Sequence, residues 1–99
     1  MERYSNRKFD EVGRIVLPIE LRKRLNLEIG ATVALHPVCG MAILKTTDYE
    51  NSEEPLTSRV DELGMITLSA ELRHKLGWQA RGEIALYYTD DETAILKMA

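Results

Sequence analysis

Apolar residues in this chain come in short runs, and the runs recur. Arg14–Leu17 (RIVL) alternates and is rich in β-branched residues, the pattern of a strand. Before it lies a short extended run, Arg7–Val12, and Gly13 supplies a turn. After it, Leu21 and Leu25 stand four apart on one face of a short helix over Ile19–Leu25. Pro18 fits the first helical position and Asn26 a helix stop. Ala31–Val38 and Met41–Thr46 then read as a hairpin around Cys39-Gly40.

The pattern is spoken twice. DEVGRIVLPIELRKRL at 10–25 returns as DELGMITLSAELRHKL at 61–76. At an offset of 51, identical pairs include Asp10/Asp61, Gly13/Gly64, Ile15/Ile66, Leu17/Leu68, Leu21/Leu72, Arg22/Arg73 and Leu25/Leu76. After one inserted residue, Ala42-Ile43-Leu44-Lys45 matches Ala94-Ile95-Leu96-Lys97. In the second copy Ser69 is a good N-cap, Glu71 sits in the first helical turn, and Gly77 ends the helix. Glu83–Thr89 and Thr93–Met98 form its hairpin, around Asp90–Glu92.

A copy of about 40 residues is near the size below which a lone domain struggles to bury enough apolar surface. Each copy therefore needs the other. The expectation is one intertwined domain over 1–99, a pseudo-dimer with approximate two-fold symmetry. It comprises a first repeat at 7–46, an acidic, Pro55-bearing linker at 47–57, and a second, degenerate repeat at 58–98.

Composition changes the picture little until charge is mapped. The chain of 99 residues has 13 Lys/Arg against 16 Asp/Glu, a net charge of −3. Residues 1–47 nonetheless carry +3, residues 48–57 carry −4, and residues 58–99 carry −2. A polyanion responds to local potential, so the first half is the candidate face. The N-terminal MERYSNRKFDE is polar, no apolar run approaches a membrane span, and one cysteine permits no internal disulfide. These point to a cytoplasmic protein without a membrane partner.

The phrase DE-x-G-R-I-V-L-P-x-E-L-R-K-x-L resembles the motif of the AbrB/SpoVT family of bacterial DNA-binding regulators, and the Ala-Ile-Leu-Lys hairpin end is similar to the end of that module. Two copies in one chain resemble the arrangement of the related MraZ proteins. The resemblance implies a mainly β fold with short helices, a swapped-hairpin β-barrel built as an intrachain pseudo-dimer of two βββα-type repeats. It implies transcription regulation through double-stranded DNA, in the cytoplasm with the nucleoid, and a homo-oligomer of at least two chains. Carried onto matching positions, the DNA-contacting residues are Arg7, Lys8, Arg14, Arg22 and Lys23, with Arg24 beside them. The second copy holds Ser58, Arg59, Met65, Arg73 and His74 there, so Arg59, Arg73 and Lys75 are weaker candidates. Arginine suits the task because it neutralises phosphates and reads guanine with two hydrogen bonds. A short helix bearing Arg22-Lys23-Arg24 beside a turn bearing Arg14 is expected to form one compact cationic surface contributed mainly by the first repeat.

Other chemistry is poorly supported. Asp10/Glu11 and Asp61/Glu62 recur at the same turn, which favours a structural role, with a carboxylate holding a nearby arginine. His36 and His74 lack metal-ligand spacing, Cys39 lacks a partner base, and no phosphate loop is present. Trp78, Tyr87 and Tyr88 are expected to pack in the core or an interface. No enzyme, cofactor or metal is therefore expected. The alternatives are an antitoxin that binds a protein toxin, or an assembly module that has lost DNA affinity.

Overall fold

A computed structural model describes residues 2–4, 6–46, 56–79, 81–89 and 93–99. The chain is mainly β, with antiparallel sheets and two short helices. The first repeat forms β1 (Glu2–Arg3), β2 (Arg7–Lys8), β3 (Arg14–Val16), α1 (Ile19–Arg24), β4 (Thr32–Val38) and β5 (Met41–Thr46). The second forms β6 (Leu56–Arg59), β7 (Met65–Thr67), α2 (Ala70–Leu76), β8 (Glu83–Thr89) and β9 (Thr93–Met98). Residues 47–55 of the linker and the whole Asp90–Glu92 turn lie outside the described residues; the linker's last two residues, Leu56 and Thr57, belong to strand β6. Strand β1 has no counterpart in the sequence expectation, because two polar residues carry no periodic signal.

Strand pairing exchanges partners between the copies. One sheet has seven strands in the order β1-β8-β9-β5-β4-β6, with β2 also on β8, and a separate ribbon joins β3 to β7. The first strand of each repeat thus lies on the hairpin of the other: Arg7 pairs with Ile84, and the equivalent Ser58 pairs with Val33. Where like meets like, the register is self-complementary. Ile15 faces Ile66 in the ribbon, and Ile43 faces Ile95 between β5 and β9. Those two pairs mark the pseudo-two-fold axis. They sit in the two layers that enclose the core.

The core is made of equivalent pairs, among them Ile15/Ile66, Leu17/Leu68, Leu21/Leu72, Leu35/Leu86 and Leu44/Leu96, all 0–1% exposed. Full burial of one such side chain stabilises by about 1.5–3 kcal/mol. Since half of each pair comes from the other copy, a single repeat would leave much of this surface wet. Trp78 occupies the position of Leu27 and is buried, as expected of a packing residue.

The helices differ at their starts. Ser69 Oγ accepts from the Leu72 amide at 3.1 Å, and Gly77 closes α2 in the left-handed region. Pro18 stands at the cap of α1, one position earlier than expected, and gives no side-chain bond. Helix α1 ends at Arg24, after which Asn26 turns the chain at φ 54°.

The copies are clamped together by a reciprocal contact. The Leu17 amide donates to the Gly64 carbonyl at 3.0 Å, and the Leu68 amide donates to the Gly13 carbonyl at 2.7 Å. Arg22 Nε donates to the Leu17 carbonyl, and Arg73 Nε to the Leu68 carbonyl, both at 3.0 Å. Each guanidinium lies where a side chain on the opposing glycine would be. A Cβ at Gly64 would stand 2.9 Å from Arg22 Nη2, and one at Gly13 would stand 2.9 Å from Arg73 Nε and collide with the Leu68 carbonyl. Both glycines also have positive φ, 96° and 78°.

Gly13→Ala should therefore cost more than Gly64→Ala. The first meets backbone, and the second meets a guanidinium that can move aside at the loss of its bond. Chemical denaturation should give roughly 2 kcal/mol or more for Gly13→Ala and about 1–2 kcal/mol for Gly64→Ala. Equal costs, or none, would show that this clamp does not hold the copies together.

Candidate nucleic-acid interface

The turn Asp10–Gly13 builds itself around one carboxylate. Asp10 Oδ1 accepts from the Val12 amide at 3.0 Å and the Arg14 amide at 2.8 Å. Asp10 Oδ2 accepts from Arg14 Nε at 2.8 Å. The backbone amide of Arg14, followed by the Arg14 side chain and the Val12 amide, holds the Asp10 carboxyl below its ordinary value of 3.8, with slight burial opposing. In the second copy Asp61 Oδ1 accepts from Leu63 and Met65 amides at 2.9 Å each. The same turn forms there, but Met65 leaves it without a guanidinium. The carboxylates are thus structural at both turns, and at the first they also orient an arginine.

A second arginine joins Arg14 from the other copy. Arg81 forms an ion pair with Glu11, and Asp10, Glu11, Val12, Arg14 and Arg81 line one shallow depression. Arg81 adopts φ 65° where the equivalent Gly30 has φ 90°. The Phe9 amide donates to the Gly82 carbonyl at 3.3 Å, which brings this segment beside the turn. Sequence comparison of the copies misses Arg81, because its partner position is glycine and its neighbour Glu11 is 70 residues away.

The other candidates do not gather into one surface from the first repeat. Arg22 and Arg73 are half-buried and engaged with the carbonyls of Leu17 and Leu68. Through them α1 leans on the Gly64 turn and α2 on the Gly13 turn. Helix α1 therefore lies beside Met65's turn and α2 beside Arg14's, at opposite ends of the β3–β7 ribbon. The expected compact surface of α1 with Arg14 is corrected accordingly; the exchange of partners between copies separates them.

Arg24 is engaged as well. It donates to Glu2 Oε2 at 2.8 Å and to the Tyr4 hydroxyl at 3.2 Å, and stacks over the Tyr88 ring at 4.1 Å. These partners raise its already high pKa, Tyr4 most and then Glu2. Arg7 and Lys8 point to opposite sides of β2. Arg7 lies on the core side opposite buried Ile84 and its Nε is buried without a hydrogen-bond partner. Lys8 is exposed. Lys23 and Arg59 are exposed, and Lys75 is exposed with a loose contact to Glu71 at 3.8 Å. Of the candidate cations, those exposed outside the fold's own contacts are thus Lys8, Lys23, Arg59 and Lys75, and Arg14 is held on a carboxylate beside Arg81.

Among the described residues no group of His, Cys, Asp or Glu could hold a metal ion, and no helix is long and apolar enough to cross a membrane. Cys39 is exposed at the first hairpin turn.

No protein-family model and no curated protein matches the chain. Among solved structures, the fold is similar to that of PHS018 from Pyrococcus horikoshii, determined in solution, with a TM-score of 0.53 and 24% identity over 99% of this chain and 88% of that one. The likeness is one of fold.

Because folding lowers the pKa of Asp10, the stability from its turn is fully present above pH 3.8 and is lost as pH falls through the lower, folded value. NMR titration should place the Asp10 carboxyl midpoint below 3.8. Asp10→Ala should abolish that part of the acid dependence and loosen the Arg14 side chain. A midpoint at or above the ordinary value would contradict the contact.

Proposed function

We propose that this protein is a DNA-binding transcriptional regulator of the AbrB/SpoVT type. Its finer architecture is then a swapped-hairpin barrel formed by the two repeats of one chain. The observation that carries the reading is the Arg14 guanidinium, fixed on Asp10 at the tip of a turn and joined by Arg81 across the same depression. The strand exchange and the reciprocal glycine contacts support the architecture.

The chemistry follows from this arrangement. A guanidinium already oriented by a carboxylate loses less freedom on binding, and its remaining N–H groups stay available for a phosphate or a guanine edge. Lys8, Lys23, Arg59 and Lys75 supply phosphate contacts, which set affinity and register without reading sequence. Arg22 and Arg73 act as positioning residues, since each holds a turn through the opposing glycine. Contact through these turns draws on both copies, with the guanidinium at only one of the two. A single chain then presents a lopsided cationic site, and binding by at least two chains together would strengthen it.

The salt dependence of duplex binding tests this. Affinity should fall linearly on a log–log plot, and Arg14→Ala should lower the slope by about one unit. Arg22→Ala should chiefly lower stability to denaturant. Absence of binding to genomic duplex fragments at low salt, or an Arg14→Ala protein that binds like wild type, would overturn the proposal.

A further inference from the structure

The outward face of the seven-stranded sheet is a second cationic surface with a composition of its own. Its register places Arg3, Tyr87, Ile95, Ile43 and His36 in one row across five strands. Side chains directly opposite in antiparallel strands share a face. That this row faces outward follows from its neighbours: Leu35, Leu44, Leu86 and Leu96, one residue away in each hairpin strand, are core residues at 0–1% exposure. Tyr88 packs on the core, so Tyr87 beside it does not.

The row is pseudo-symmetric. Ile43 and Ile95 meet on the two-fold axis, and the equivalent positions His36 and Tyr87 place a ring at either side of them. The rings stand three strand spacings apart, about 14 Å. Lys45 and Lys97, also equivalents, flank the row and are exposed. Lys97 Nζ, from β9 on one flank, lies 5.6 Å from the Tyr87 ring centre, and the Arg3 guanidinium, from β1 on the other flank of the same face, lies 5.9 Å from it. Lys8 and Arg59 face outward near the two margins, opposite Glu83 and Thr32. Among the described residues this face therefore presents Arg3, Lys8, Lys45, Arg59 and Lys97 against Glu83.

A half-exposed aromatic ring between two cations, on a sheet beside aliphatic side chains, is the chemistry that binds an unpaired base next to its phosphates. A duplex hides its base faces by stacking, so a rigid duplex gains nothing from Tyr87. An acidic protein surface would meet the cations but leave the ring and the isoleucines without a counterpart.

We propose that this sheet face binds single-stranded nucleic acid. Tyr87 stacks on a base, Lys45, Lys97 and Arg3 contact the backbone, and His36 forms the second, weaker platform. Tyr87, Lys45 and Lys97 lie apart from the Asp10–Arg14 turn, and Lys8 and Arg59 at the sheet margins are shared with the duplex reading.

Fluorescence anisotropy with a labelled oligo-dT strand at low salt tests it. Wild type should bind, with affinity falling as salt rises. Tyr87→Ala should weaken binding about tenfold or more, and Tyr87→Phe should retain it. The double variant Lys45→Gln/Lys97→Gln, at exposed positions, should weaken binding and flatten the salt dependence while leaving the circular dichroism spectrum unchanged. Arg14→Ala should bind oligo-dT like wild type. The inference fails if oligo-dT does not bind, if Tyr87→Ala and the lysine variant bind like wild type, or if Arg14→Ala alone weakens it.

Discussion

Everything else in this molecule depends on two backbones approaching at Gly13 and Gly64. Each glycine carbonyl accepts the amide that follows the other copy's ribbon strand, and each glycine leaves room for the other copy's guanidinium. These contacts set the register of the β3–β7 ribbon, with Ile15 on Ile66 at its centre. That register brings the leucines of both copies into one core. It also decides which helix lies beside which turn, and so where every basic side chain ends up.

The same clamp explains why the copies drifted unevenly. Positions that build the clamp are the same in both copies: Asp10/Asp61 closes its own turn, Gly13/Gly64 admits the guanidinium, and Arg22/Arg73 supplies it. The side chain that follows each turn glycine is free of that constraint, although its backbone pairs across the ribbon. Arg14 could become Met65 because Asp61 still binds its backbone amides without a side-chain partner. Gly30 could be matched by Arg81 because the left-handed conformation there is maintained by the surrounding turn. The two changes move positive charge to the same end of the ribbon.

A basic residue in this chain can serve the fold or the surface, and its contacts decide which. Arg22 is matched by Arg73 in the second copy, and both engage backbone carbonyls, so that identity serves the fold. Arg7 and Lys8 are adjacent on a strand, so only one can face outward, by the same alternation that separates Asp10 from Glu11. Arg24 is engaged at the surface by Glu2 and Tyr4 because β1 lies along β8, and no local pattern announces β1.

The sequence by itself determined the repeat, the strand and helix order from β2 onward, the hairpin bounds, the Ser69 cap and the core pairs. These follow from local periodicity, turn chemistry and apolar spacing, all written within a few residues. Only the tertiary structure decided that strands exchange partners between copies, that Arg22 and Arg73 fill the space over opposing glycines, that Arg81 meets Arg14, and that Tyr87 lies outside among cations. Each of those is a contact between residues dozens of positions apart, and it exists only once a common core has fixed the register of both halves.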